Sequence, residues 1–214
     1  MVSFIQSVLS AADINMLLAI NGHHNVVFDS IMYTVSDKTI WLPMYMILLV
    51  FIIKDNGIRK AAAWLLFLIL CITFADQITS SVLKPLVGRL RPSNPDNPIS
   101  GYIHIVCGYR GGSHGFASSH AANSSALAVY WMLTGQRRIA GRMLAVWAVI
   151  ICYSRIYLGV HYPTDIAAGI IIGTFCAKNM SDIYHHCCMA VLPANNKTTG
   201  RRVSLRIKVN RQPL

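Results

Sequence analysis

Residues 61–81 read AAAWLLFLILCITFADQITSS, with no charged side chain before Asp76. An uninterrupted apolar stretch of about 20 residues is what a helix needs to cross a hydrocarbon layer roughly 30 Å thick. There the backbone satisfies its own hydrogen bonds as a helix. The polar residues gather at the far end, at Thr73, Asp76, Gln77, Thr79, Ser80 and Ser81. That end is therefore expected to meet water or a polar site.

Four more spans are legible around it. Trp41 to Ile53 precedes it, and is long enough to cross if it starts near Asp37; Lys54-Asp55-Asn56-Gly57 closes it. A third span is capped by Ser118 or Ser119 and runs to Thr134, with Gly135 as its stop. Ile139 to Tyr157 forms the fourth. Pro163, at a first-turn position, opens the fifth, which is expected to end at Ala177 before Lys178. Residues 1–36 mix apolar positions at helical spacing with Asp13, Asn15, Asn21, His23, His24 and Asp29, a pattern for short amphipathic helices lying on a bilayer face. The fold expected is an all-α polytopic membrane bundle of about five transmembrane helices, with short amphipathic helices at the N-terminus.

Composition agrees. The 214 residues are 54% hydrophobic, with a mean hydropathy of +0.48, and one membrane domain accounts for the length. The net charge of +11 comes from basic residues placed between and after the apolar runs. That is a topology signal and not a nucleic-acid face. Lys54, Arg59, Lys60, Arg137, Arg138, Arg142, Lys178 and the basic tail fall on one side, expected to be cytoplasmic. All 8 acidic residues are aspartates, which removes motifs built on a catalytic glutamate, such as His-Glu-x-x-His. Cys71, Cys152 and Cys176 lie inside apolar runs, and no disulfide framework is expected. His185-His186-Cys187-Cys188 invites a metal reading, but four consecutive residues do not readily converge on one ion. The start lacks a basic segment followed by an apolar core, so no cleavable signal peptide is expected.

Three clusters share the outer side. Lys84 lies ahead of Pro85 and is expected to end the second span, because a residue before proline is disfavoured in helical geometry; Arg91 is likewise held before Pro92. A loop from Pro85 to about Ala117 leads to Ala117-Ser118-Ser119-His120. The third cluster is Ser154-Arg155 followed by His161-Tyr-Pro-Thr-Asp165. His161 and Asp165 are four apart, on one face of a helix start. A carboxylate on one ring nitrogen leaves the other as a nucleophile. Lys84, Arg91 and Arg155 are cations suited to phosphate oxygens. His120 supplies a second imidazole for a leaving oxygen, and Ser118 a hydroxyl. Each piece taken alone also suits a structural role: snorkelling cations, a helix cap, a satisfied His–Asp pair. His114 is near enough to His120 to line the same pocket; His104 has no evident role.

The chain resembles the type 2 phosphatidic acid phosphatase (PAP2) superfamily, whose pattern is K-x6-R-P, then P-S-G-H, then S-R-x5-H-x3-D. Lys84 to Arg91-Pro92 and Ser154-Arg155 to His161 and Asp165 match in full, while Ala117 and Ser119 replace the proline and glycine of the second motif. The resemblance covers roughly residues 37–178. It implies that His161 attacks phosphorus to give a phosphohistidine, that Asp165 orients it, and that His120 protonates the leaving group. It assigns the phosphoryl oxygens to Lys84, Arg91, Ser118, Arg155 and the Ser119 amide, with no metal or other cofactor. The expected organisation is an interfacial segment 1–36, a membrane-embedded phosphatase domain 37–193 and a basic cytoplasmic tail 194–214. The site would face the periplasm from a multi-pass inner-membrane protein of bacterial type.

The partners expected are membrane lipids and a lipid phosphate: lipid A phosphates, polyprenyl pyrophosphate, phosphatidylglycerophosphate or phosphatidic acid. Nucleic acid is not expected, and no oligomeric state follows. Two readings compete: a non-enzymatic anion transporter, for which two histidines are surplus, and a vanadate-dependent haloperoxidase, which resembles soluble proteins.

Overall fold

The computed structural model describes residues 2–135 and 137–191, with side chains from 11 to 135 and 137 to 187. The basic tail therefore lies outside the described residues. Among these the secondary structure is helical, apart from one antiparallel bridge between Leu90 and His114. The helices are α1 (Val2–Gly22), α2 (Val26–Ser36), α3 (Leu42–Asn56), α4 (Ile58–Asp76), α5 (Lys84–Val87), α6 (Ser119–Thr134), α7 (Arg138–Tyr157) and α8 (Pro163–Val191).

Four stretches are long and apolar enough to cross a membrane: Thr39–Asn56, Ile58–Val87, Arg138–Tyr157 and Pro163–Cys187. The remaining expected span is α6, whose 16 residues give about 24 Å of helix. It is the hub of the bundle, packed against α8, α7 and α4. Small side chains make that possible: Ala121, Ala122, Ser124, Ser125, Ala126 and Ala128 are all buried. Across from them, a Cβ on Gly173 would sit 2.1 Å from the Ala122 carbonyl oxygen, and one on Gly169 2.5 Å from that of Ser118. Two small residues one turn apart let helix backbones touch, a packing mode suited to lipid. Leu66, Ile69, Phe74, Val146, Val149, Ile171 and Phe175 are exposed, the side chains a bilayer would cover.

Three boundaries differ from expectation. Lys84 does not end the second span; the helix runs to Val87, where Gly88 adopts φ +61 as its C-cap. The reason is a π-helical turn at Gln77–Leu83, in which the Lys84 N–H reaches the Thr79 carbonyl, five residues back. The widened turn accommodates the Pro85 ring, which would otherwise meet the carbonyl four residues earlier. At the other end, α8 continues past Lys178, which is exposed and pairs with Asp182 at 3.6 Å across one turn. A cation on a wet helix face stabilises the helix instead of stopping it. Finally, α1 is a 21-residue helix and not a short one. It lays Leu17 against the group that includes Ile103, Ile156 and Tyr162, and its Asp13 and Asn21 are buried.

Candidate active site

The end of α2, the start of α3, the α4–α5 helix, the start of α6, the end of α7 and the turn before α8 meet around one cavity of about 720 Å³. Its polar pole carries Lys38, Lys84, Arg91, Arg155, Ser119, His120 and His161; its other pole is walled by Leu48, Trp64, Leu68, Ile72, Leu127, Trp147 and Ile151. Four cations line it against two carboxylates, Asp37 and Asp76. The three sequence clusters do converge on a single space.

Lys84 is aimed into the bundle by its helical backbone. Its Nζ donates to Ser80 Oγ, one turn back, at 3.1 Å and to Ser119 Oγ at 2.6 Å. Arg91 is held by two bonds to the returning loop: its N–H donates to the Ser113 carbonyl at 3.1 Å, and its Nε to the His114 carbonyl at 3.1 Å. Its Nη1 is buried with no acceptor. Gly111 faces that nitrogen at φ +68, where a Cβ would lie only 2.5 Å away. Arg155, 1% exposed, donates to Ser36 Oγ and, at 2.9 Å, to the Tyr109 hydroxyl.

His161 follows α7 and precedes α8, fully enclosed. Its Nδ1 lies 3.4 Å from Asp165 Oδ2, leaving Nε2 for the cavity. Tyr162 N–H donates to the same carboxylate oxygen at 3.0 Å, in the manner of a helix start. Burial, then Arg91, Arg155 and Lys84, hold the His161 imidazole well below its ordinary range, so the ring is neutral at physiological pH. A neutral ring with one nitrogen on a carboxylate and the other facing cations is arranged as a nucleophile toward an anion.

Ser118 and Ser119 exchange parts. Ser118 is fully buried and does not line the cavity; its Oγ caps α6, accepting from the Ala121 N–H at 3.4 Å, and its own N–H donates to the Asp165 carbonyl at 3.0 Å. The hydroxyl in the cavity is that of Ser119. His114 contributes its backbone carbonyl to Arg91 and does not line the cavity with its ring. Sequence reading missed Lys38, Ser36 and Tyr109, which come from segments without a recognisable pattern. It also missed Asp13, for which a signal exists: Asp13, Leu17 and Asn21 recur every four residues on one face, and all are buried.

Outside the cavity, His24, Asp29 and His104 bring donor atoms within 4.8 Å of one another. The two imidazoles stack in parallel at 3.6 Å, so their ring nitrogens do not converge on a common point. His104 Nε2 instead meets Asp29 Oδ2 at 2.9 Å, and the Tyr157 hydroxyl donates to Asp29 Oδ1 at 2.7 Å. This group ties α2 to the long loop.

Comparison with known proteins places this geometry. A lipid A 4'-phosphatase of Bacteroides thetaiotaomicron is 46% identical over 167 residues, 78% of this chain and 74% of that one. A second, from Porphyromonas gingivalis, is 33% identical over 172 residues, 79% and 72% of the two chains. The fold is shared with the crystal structure of a transmembrane PAP2-type phosphatidylglycerolphosphate phosphatase from Bacillus subtilis. The TM-score is 0.62 at 19% identity, over 84% of this chain and 87% of that one. Residues 62–187, which include both cavity histidines, match the PAP2 superfamily, and the chain belongs to it.

Proposed function

We propose that this chain is an integral membrane phosphatase that hydrolyses a lipid phosphate monoester, foremost the 4'-phosphate of a lipid A-type glycolipid, through a phosphohistidine on His161. The observation that carries the reading is the two-poled cavity. Cations and imidazoles at one end continue without a break into an apolar space between helices. A phosphate can thus be held at the polar pole while its alkyl chains stay in a hydrocarbon setting. The choice of lipid A over other lipid phosphates rests on the 46% identity to a lipid A 4'-phosphatase.

The chemistry follows from the placement. Lys84, Arg91 and Arg155 take the nonbridging oxygens and stabilise the charge spread over them in the transition state. His161 Nε2 forms a bond to phosphorus as the bond to the lipid oxygen breaks. His120 delivers a proton to that oxygen, the anionic substrate favouring its imidazolium form. Asp165 accepts the Nδ1 hydrogen bond and stabilises the ring as it becomes cationic. Water then attacks phosphorus, His120 takes its proton, and His161 is released. The Ser119 hydroxyl fixes the Lys84 ammonium.

In this reading the cavity mouth faces the periplasm from the inner membrane. The opposite end of the bundle carries Lys54, Arg59, Lys60, Arg137, Arg138 and Arg142, of which Arg137 clasps Asp55 at 2.7 and 2.8 Å. That end, with the C-terminus, is cytoplasmic by the bias of basic residues. An anion carrier would need the cations but not a carboxylate-oriented histidine beside them.

The test is phosphate release by detergent-purified protein from lipid A, phosphatidic acid, phosphatidylglycerophosphate and a polyprenyl diphosphate. The expected result is highest kcat/KM on lipid A, with loss of the 4'-phosphate by mass spectrometry and no turnover by His161→Ala. Turnover retained by His161→Ala would refute the mechanism; a preference for another lipid would refute the substrate.

A further inference from the structure

Asp13 lies in α1, outside the stretch that matches the superfamily, and is only 4% exposed. Its hydrogen bonds lead toward the proposed nucleophile. Arg89 Nη2 donates to Asp13 Oδ2 at 2.7 Å, the Thr164 N–H donates to Oδ1 at 2.9 Å, and the Thr164 hydroxyl donates to Oδ2. The other tine of the same guanidinium, Nη1, donates to Asp165 Oδ1 at 3.0 Å and to the Thr164 hydroxyl at 2.8 Å. Arg89 also sits over the ring of Tyr162, its Cζ 3.7 Å from the centroid. Arg89 does not line the cavity.

The division of labour has a physical consequence. A guanidinium beside a lone carboxylate tends to bind both oxygens with both tines. Were Arg89 to do that to Asp165, it would draw Oδ2 away from His161 Nδ1. Asp13 occupies the second tine, so Arg89 offers Asp165 one nitrogen on one oxygen. Oδ2 is left to His161 and to the Tyr162 N–H. The cation also offsets the cost of a carboxylate with no solvent exposure. Asp13 in turn keeps Arg89 from swinging toward an anionic substrate.

We propose that Asp13 and Arg89 are positioning residues that hold Asp165 in the orientation His161 needs, which makes the N-terminal helix α1 part of the active site. The pair touches neither substrate nor reacting atoms. The proposal rests on His161 being the nucleophile, as argued above.

Its test uses the full chain in detergent, with Asp13→Asn, Arg89→Ala, Arg89→Lys and His161→Ala assayed on the best wild-type lipid. Rates are normalised to folded protein from the size-exclusion peak and melting curve. Asp13→Asn retains an oxygen for Thr164 but loses the charge that fixes Arg89. Expected is a fall in kcat of roughly 10- to 100-fold, the scale known for partners that orient metal-bound histidines, with KM changed less than about threefold. Arg89→Lys, which keeps a cation, should recover part of the loss. Normalised kcat unchanged in Asp13→Asn and Arg89→Ala, with His161→Ala inactive, overturns this inference and leaves the nucleophile assignment standing. Losses that track only the folded fraction overturn it as well. Turnover retained by His161→Ala removes the nucleophile and the positioning role together.

Discussion

Consider replacing Gly111 with alanine. The residue sits at φ +68 beside Arg91, and an added Cβ would stand 2.5 Å from Nη1 and 3.0 Å from Cζ. Ordinary contact begins near 3.4 Å, so the guanidinium must retreat by about 1 Å, a displacement that can cost roughly 100-fold when it misplaces a group at the reacting centre. The left-handed backbone adds about 1–2 kcal/mol of strain for a side chain with a Cβ. Arg91 cannot absorb the push freely, because its Nε is bonded to the His114 carbonyl at 3.1 Å and its backbone to Ser113. Losing one aligned donor to the transition state costs roughly 2.7–4 kcal/mol, or 10²–10³ in kcat. Gly111→Ala should therefore approach Arg91→Ala in kcat, while melting falls only modestly.

The neighbouring Gly112 supplies the control. It lines the same cavity, has no positive φ, and a Cβ there meets nothing within 4 Å. Gly112→Ala should keep kcat within about threefold of wild type, the range of a surface change free of strain. Phosphate release from the same lipid micelles, with wild type, Gly111→Ala, Gly112→Ala and Arg91→Ala in parallel, decides the matter. Wild-type kcat in Gly111→Ala, or equal losses in the two glycine variants, would refute the placement of Arg91 at the phosphoryl group.

Two further outcomes follow from the site. Because burial and the surrounding cations hold His161 well below its ordinary range, its ring stays neutral as pH falls through 6.5. The acid side of kcat/KM should then follow only the second ionisation of the substrate phosphate, near pH ~6; a separate enzyme limb close to 6.5 would contradict it. The two serines should separate as well. Ser118→Ala removes a helix cap worth about 1 kcal/mol and lowers the melting temperature with little change in kcat. Ser119→Ala releases the Lys84 ammonium and lowers kcat with melting preserved. The reverse pattern would show that the two hydroxyls have been assigned the wrong way round.

The sequence discloses the spans because lipid demands long apolar runs, and it discloses the His161–Asp165 pair because a helix start sets that spacing locally. It does not disclose Asp13–Arg89–Asp165, whose members are separated by 76 residues at each step, since nothing in a chain announces which distant partner a buried charge will find. The helix through Lys84 was illegible for a different reason. Proline rules describe an α-helix, and the π turn before Pro85 changes the geometry to which they apply. Lys178 misled because a charge that ends a membrane crossing need not end a helix. Ser118 and Ser119 were separable only once the α6 cap was fixed, since either could have taken that position.

The polar pole of the cavity is poorly compensated as it stands. Arg91 and Arg155 are 8% and 1% exposed, and each keeps one buried nitrogen, Nη1 and Nε, without an acceptor. Burying a charged donor unpaired costs more than leaving it in water, and Arg155 depresses the basicity of Arg91 alongside the effect of burial. A sequence selected for stability alone would remove such groups, because apolar replacements for buried ions are often neutral or stabilising. The surrounding structure holds them in place instead: Ser36 and Tyr109 on Arg155, His114 and Gly111 around Arg91. The bundle therefore stores the cost of desolvating its cations before any substrate arrives. A phosphate dianion that enters meets cations already held in place, so its binding need not include the work of ordering them. Buried cations with open hydrogen-bond capacity at the polar end of an apolar cavity are a stability defect for a passive bundle and an advantage for a phosphatase.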